Sequence, residues 1–512
     1  MQETESGGMT DTMMPPAAAG DACRAAALLD RLERLKRDIE RESEQLLADW
    51  RSAIGDEAFL PSAGNLAQYL ALRRADLSPL QPGLQELGLS TLGRCEAHVE
   101  PSLDAVLASL SRIAGAADRP YPDNTSFDAG QALLLDRQNR IFGADPEGPN
   151  TRIMVTLPSE AAIDGGLVAA LIAEGADCVR INCAHDGERA WAAMIAHTRR
   201  AAAAQRRDVR VAMDLPGPKI RLREVQAEPD LRLFKGDRFL IAAALSPAAP
   251  LPQITLSHPQ LLAQLQVGSV LSIDDGKLAA RVVARTADAA TAEVTRTRAK
   301  GQKLKPEKGL NLPGAELAIP ALTEDDLSHL DFVAANADII GYSFVQTPED
   351  VRRLAEEVGR RLHGRPQPAV MLKIETPLAV RNLPRLLVQA GALMPVAVMI
   401  ARGDLAVEIG LARLSEIQEE ILWLCEAAHV PVVWATQVLE TMVKEGAATR
   451  AEATDAAMGQ RAECVMLNKG PHLVEAVAFL DGILRRMDRH QTKKSARLAA
   501  LRSWDGPQHL QE

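Results

Sequence analysis

Met371-Leu372-Lys373-Ile374-Glu375 and, about twenty-five residues later, Val398-Met399-Ile400-Ala401-Arg402-Gly403-Asp404 are short apolar runs that turn polar only at their last residues. Each reads as a buried strand delivering charge at its carboxyl end, where barrel and open α/β enzymes place their chemistry. Glu375 and Asp404 are hard oxygen donors suited to Mg²⁺ or Mn²⁺. Lys373 beside them can stabilise charge developing on a transferring phosphoryl group or an enolate.

Further runs of the same kind are Ile153–Thr156, Cys178–Asn182, Val211–Asp214, Ile339–Ser343, Val432–Thr436 and Cys464–Asn468. With Val370–Ile374 and Val396–Ala401 they make eight, alternating with helical stretches. The pattern predicts an α/β chain with a closed (β/α)₈ TIM barrel over residues 151–217 and 310–490. The alternation breaks over 218–309, where Arg238–Ala242, Val270–Ile273 and Ala279–Val283, with a turn at Asp274-Asp275-Gly276-Lys277, predict an inserted β-barrel-like domain. Such an insert can close as a lid over the barrel mouth. Upstream, Leu28, Leu32, Leu35, Ile39 and Leu46 carry helical spacing within a helical extension and linker over 21–150, rich in turn signals at its end. Residues 1–20 read as a disordered start and 491–512 as a polar tail.

Lys plus Arg total 58 against 68 Asp plus Glu, a formal net charge of −10 without a long basic run, which argues against nucleic acid as a partner. The six cysteines form no CxxC pair and read as reduced, packed thiols of a cytoplasmic protein. No apolar run approaches the roughly 18 to 20 residues that span a bilayer, so no membrane association is expected.

Polar groups end several of the strands: Arg180 and Asn182 the second, Asp214 the third, Lys373 and Glu375 the fifth, Asp404 the sixth, Thr436 the seventh. Any one of them could be a solvated strand-end charge. Gathered at one barrel mouth, groups of such complementary type point to a catalytic site.

The same segments resemble the pyruvate kinase family. The likeness is carried by Val179-Arg180-Ile181-Asn182-Cys183-Ala184-His185, by Met213-Asp214-Leu215-Pro216-Gly217-Pro218-Lys219-Ile220-Arg221, and by Lys308-Gly309-Leu310-Asn311-Leu312-Pro313-Gly314. It continues through Lys373-Ile374-Glu375, Ala401-Arg402-Gly403-Asp404-Leu405, Ala435-Thr436-Gln437-Val438-Leu439-Glu440 and Thr449-Arg450-Ala451-Glu452. The resemblance implies phosphoryl transfer from phosphoenolpyruvate to ADP, giving pyruvate and ATP in glycolysis. It assigns Glu375 and Asp404 to a divalent metal and Lys373 to the phosphoryl group in flight. It assigns Arg180 to the substrate phosphoryl, the amides near Gly403 and Asp404 to the substrate carboxylate, and Thr436 to the network that protonates the enolate. Asn182, His185, Arg221 and Lys308 match nucleotide-contacting positions, although His185 equally fits a hydrogen-bonded strand-end histidine.

The chain departs from the family pattern in several places. Ala184 and Leu215 replace a serine and a threonine that help Asn182 and Asp214 bind a monovalent cation. Lys219 stands where potassium-dependent members carry Glu, and its ammonium could supply the missing charge, so K⁺ is not expected to be required. Thr156-Leu157-Pro158-Ser159 lacks a glycine usual after the first strand, and Asn468-Lys469-Gly470-Pro471 replaces a Ser-Gly-Glu-Thr loop near the nucleotide. By the resemblance, the helical N-terminal region is additional and the C-terminal effector domain is lacking, with effector control by that route. A homo-oligomer, a dimer for preference, is expected. Two other readings stay open from sequence: a metal-dependent lyase or aldolase acting through a pyruvate enolate, and a catalytically impaired metabolite-binding regulator.

Overall fold

The computed structural model describes residues 16–54, 57–145, 147–314 and 319–497; expectations for residues 1–15 and 498–512 lie outside them. Eight parallel strands close a barrel in chain order: β1 (Arg152–Thr156), β2 (Cys178–Asn182), β3 (Arg210–Leu215), β4 (Ile339–Tyr342), β5 (Ala369–Ile374), β6 (Val396–Ala401), β7 (Val432–Ala435) and β8 (Cys464–Leu467). The fold is the α/β barrel that the strand pattern predicts. Nearly every strand residue is buried, because one face lines the interior and the other lies under helices. That double burial is why the strands read as continuous apolar runs.

Toward its base the interior is filled by Met154, Met371, Met399 and Met466 against Ala212, Ala397 and Ala435, with Ile141 and Phe142. Unbranched methionines fit an irregular space left between small alanines. Ile141 and Phe142 end the helix Thr125–Phe142, so from Leu134 onward the presumed extension is compact with the barrel instead of continuing to residue 150 as a separate region. Helical periodicity could not reveal this, since it shows an apolar face but not which core the face joins. Arg152 then pins the linker, donating to the carbonyls of Gly143 and Pro149 and to Asn139 Oδ1 at 2.8–3.0 Å.

Below β2, Asp177 accepts from Ile153 N at 2.8 Å and pairs with Arg207 at 2.7 Å. Burial pushes its carboxyl up to about 6, with the Ile153 amide and Arg207 opposing. A raised carboxyl favours the fold below its unfolded value of about 3.9, and that contribution is lost as pH rises through 6. Above pH 6 the buried carboxylate therefore depends on Arg207. An Arg207→Met variant is expected to lose about 3 kcal/mol at pH 8 and clearly less at pH 5, read from urea midpoints. Equal losses at both pH values would contradict this.

The insert is a seven-stranded sheet over a core that includes Phe239, Ile241, Ile254, Leu271, Val282 and Val294. Between residues 218 and 309 it contains three strands not anticipated, Leu222–Gln226, Gln253–Leu256 and Ala289–Thr297. The last of them buries alternate residues, but two of its three buried residues are alanine, too small for a clear hydrophobic period. Leu310–Asn311, expected to open the barrel again, pairs antiparallel with Val270–Ile273 and belongs to the insert. The two crossings of chain are themselves bridged at Arg221 and Gly309.

Residues up to Arg51 together with Pro61–Leu133 cluster as a second compact unit. Its long helix, Pro16–Trp50, already includes the described end of the stretch expected to be disordered. Leu28, Leu32 and Ile39 are buried, as their spacing predicts, and Lys36 reaches Asp104 on the helix Val99–Ile113. The tail is ordered at least to residue 497. Gln491–Thr492 pairs with Ser495–Ala496, and Lys493 at the turn meets the carboxylate of Glu463, whose other oxygen accepts from Val432 N. Among the described residues no helix is long and apolar enough to cross a membrane.

Candidate active site

The barrel register sets charged side chains beside one another at the carboxyl ends of its strands. Asn182 is paired with Asp214 across β2 and β3, and Thr156 with Arg180 across β1 and β2. Arg180 donates Nη1 to Thr156 Oγ1 at 2.9 Å and turns Nε and Nη2 onto Asp214 Oδ2 at 2.9 and 2.8 Å. Lys373 approaches the same oxygen at 3.4 Å, Glu375 Oε1 at 3.2 Å and Ser343 Oγ at 2.6 Å. Glu375 Oε2 accepts from Phe344 N at 2.6 Å.

This cluster is almost dry: Asp214 is 1 % exposed, Glu375 3 % and Lys373 9 %. Isolated charges could not be held there, so each is explained by its neighbours. Burial opposes the charged form of Asp214, but Arg180 and Lys373 outweigh it and hold the carboxyl below the usual range. For Lys373 burial is outweighed by Glu375 and Asp214, which keep the ammonium firmly protonated. Burial prevails at Glu375, whose carboxyl is pushed up with Asp404 adding to the effect and Lys373 opposing it. Two carboxylates close enough to sense each other, one of them electrostatically strained, are the donor set a divalent cation relieves.

No group of three or more His, Cys, Asp or Glu able to hold a metal occurs among the described residues. Glu375 and Asp404 are the two carboxylates that could hold Mg²⁺ or Mn²⁺, which commonly take one or two carboxylates and complete their shell with water and substrate oxygens.

The helix Arg402–Ile409 starts directly at the end of β6, which sets Gly403 and Asp404 at the carboxyl end of that strand. Gly403 N donates to Thr436 Oγ1 at 2.7 Å. Thr436 sits at φ +65°, unusual for a branched residue, and the loop is braced by Arg402. Its guanidinium donates to Ala435 O at 2.9 Å and Thr436 O at 2.8 Å, forks onto Asp455, and lies 4.5 Å from the Trp434 ring.

The structure thus brings Arg180, Asp214, Lys373 and Glu375 into one cluster and sets Gly403 beside Thr436. Lys219 is placed differently from its expected part in a monovalent-cation pocket with Asn182 and Asp214. Its ammonium pairs with both oxygens of Asp404, at 2.9 and 3.1 Å. Asn182 turns Oδ1 onto Ala184 N at 3.1 Å, and Asp214 gives Oδ2 to Arg180 while its buried Oδ1 lacks a hydrogen-bond partner.

Asn182 and His185 line a cavity of about 310 Å³ with Thr156, Arg180, Gln437 and Lys469. Burial, with Lys469 and then Arg221 contributing, lowers the His185 pKa. Arg221 and Lys308 are on the insert. Arg221 donates to Glu307 O at 2.9 Å, and Lys308 pairs with Asp274 at 3.2 Å. The loop after β8 packs tightly, since a side chain at Gly470 would strike the Val443 carbonyl. Sequence reasoning passed over Ser343, Arg402 and Asp455. Ser343 ended a recognised strand and could have been found; Asp455 carries no local signal, because only folding brings it to Arg402.

A family model described as "Pyruvate kinase, barrel domain" matches residues 149–472. The chain is 33% identical over 347 residues to a pyruvate kinase of Methylorubrum extorquens, covering 66% of this chain and 69% of that one. It is 31% identical over 348 residues to a pyruvate kinase of Geobacillus stearothermophilus, 66% of this chain but 57% of the relative. Against human pyruvate kinase PKLR the identity is 30% over 357 residues, covering 66% and 60%. The matched span contains all eight barrel strands and the inserted sheet, with the Arg180, Asp214, Lys373, Glu375 cluster at the mouth, and the chain belongs to the pyruvate kinase family.

Proposed function

We propose that the protein moves the phosphoryl group of phosphoenolpyruvate to ADP, giving pyruvate and ATP, as a cytoplasmic glycolytic kinase that needs Mg²⁺ or Mn²⁺ but not K⁺. The observation that carries this reading is Lys373 buried between the carboxylates of Asp214 and Glu375, with Arg180 on the same Asp214 oxygen. In the reaction the bond from phosphorus to the enol oxygen breaks as one from phosphorus to a terminal ADP oxygen forms, leaving an enolate that takes a proton at its methylene carbon. Such a loose phosphoryl transfer asks the protein mainly for placed positive charge. Lys373 supplies it beside the departing enol oxygen, and Arg180, oriented by Asp214 and Thr156, holds the phosphoryl side. The helix start at Gly403 and Asp404 receives the carboxylate, beside the Thr436 hydroxyl, which accepts from Gly403 N and orders the proton source. A divalent ion bound by Glu375 and Asp404 would neutralise phosphoryl and carboxylate charge.

The cavity beside Asn182, His185 and Lys469 is the candidate nucleotide side, with Arg221 and Lys308 approaching from the insert. Lys219 supports K⁺ independence by bringing an ammonium of the chain's own to the site. Pyruvate formation from phosphoenolpyruvate and ADP with Mg²⁺ is expected at equal rates in Na⁺ and K⁺ at matched ionic strength. A strong rise with K⁺ would refute the cation reading, and no turnover with any nucleoside diphosphate would refute the kinase reading.

A further inference from the structure

Both crossings that join the inserted sheet to the barrel are tied to one short helix, Arg402–Ile409. On the first crossing Lys219 holds the two oxygens of Asp404 at 2.9 and 3.1 Å. On the second, Asn311 Nδ2 donates to Glu408 Oε1 at 3.1 Å. Asp404 and Glu408 are four residues apart in the helix, so their side chains share one face. That face is where the insert is anchored. The crossings also touch each other, bridged at Arg221 and Gly309, and the Lys219 stem runs so close to Gly309 that a side chain there would meet its Cε at 3.2 Å.

The two ties differ in what can break them. Asn311 and Glu408 form a hydrogen bond away from the reacting groups. Lys219 instead occupies the carboxylate that, on the reading proposed above, also serves the divalent ion. The ammonium spans both oxygens of Asp404, at 2.9 and 3.1 Å, and repels a second cation, so a divalent ion that takes either oxygen draws the ammonium off it.

We propose that Lys219 is a displaceable internal counter-ion. It neutralises Asp404 while the metal site is empty, and it is drawn off Asp404 when the site fills. The first crossing is released at that moment, while Asn311 and Glu408 remain as the pivot about which the insert moves. This inference rests on Asp404 being a metal ligand, and it links metal occupancy to lid position.

The test is Mn²⁺ titration of the full chain without substrate or nucleotide, read from the electron paramagnetic resonance of free Mn²⁺, with amide hydrogen exchange on the same samples. Lys219→Met is expected to tighten Mn²⁺ binding by at least about fivefold, the worth of an ion pair at the surface or better. Mn²⁺ should speed exchange at residues 217–219, ahead of the bridge to Gly309, but not at 309–312 in the unaltered protein, and Lys219→Met should show fast exchange at 217–219 without metal. Lys219→Gln serves if the Met variant does not fold. Unchanged or weaker Mn²⁺ binding in the Lys219 variants, while Asp404→Asn abolishes it, would overturn the counter-ion role alone. Mn²⁺ binding that survives Asp404→Asn would overturn the metal reading and this inference with it.

Discussion

Replacing Lys373 with Met is expected to slow pyruvate formation by about 10² to 10³-fold while changing the KM for phosphoenolpyruvate much less. The ammonium is buried, firmly protonated and fixed by Ser343, Glu375 and Asp214, so it is preorganised for charge that develops only as the enol oxygen departs. Its loss also leaves Glu375 buried without its nearest cation, and removing one partner of a buried pair costs about 3–5 kcal/mol. Part of this is recovered because Glu375, already pushed toward protonation, can bind a proton. Steady-state kinetics beside a thermal melt separate the two effects. A folded variant retaining more than about a tenth of the turnover would remove Lys373 from the centre of the mechanism.

The second large effect comes from a single methyl group. Gly341 on β4 lies in register with Asp214 on β3, and a Cβ there would fall 2.0 Å from Asp214 Oδ1 and 2.5 Å from its Cγ. Asp214 cannot swing aside cheaply, because its other oxygen is held by Arg180 and Lys373 in a site almost closed to solvent. Gly341→Ala is therefore expected to cost about 1–3 kcal/mol in overpacking. Displacing Asp214 also misaligns Arg180 and Lys373, for which a loss of up to about 10²-fold in kcat/KM is expected. Urea unfolding and substrate kinetics on the same preparation test this, and a fully active, fully stable Gly341→Ala enzyme would show that the strand yields without disturbing the cluster.

How much of this was legible beforehand depended on the range of the interaction involved. Lys373, Glu375 and Asp404 announce themselves because apolar residues precede them in strands buried on both faces, and a charge at the end of such a run is conspicuous. Arg180, Asp214 and Thr436 follow by the same logic, since strand ends in a closed barrel all reach one mouth. The insert was visible as a break in the alternation, but its alanine-rich strand Ala289–Thr297 was not, its hydrophobic signal being too weak. Nor was the docking of Ile141 and Phe142 into the barrel base, because a helical stripe does not specify its partner.

Sequence by itself determined the barrel, the insertion point and the residue types at the mouth. These follow from local pattern: strand-length apolar runs, their spacing and their polar ends. Only the tertiary structure decided which charge compensates which. Lys219 is near Asp214 in the chain yet pairs with Asp404, 185 residues away, and Asn311 reaches Glu408 across 97. Charge pairing in a poorly solvated mouth is set by distance and desolvation, and neither is encoded in the order of residues along the chain.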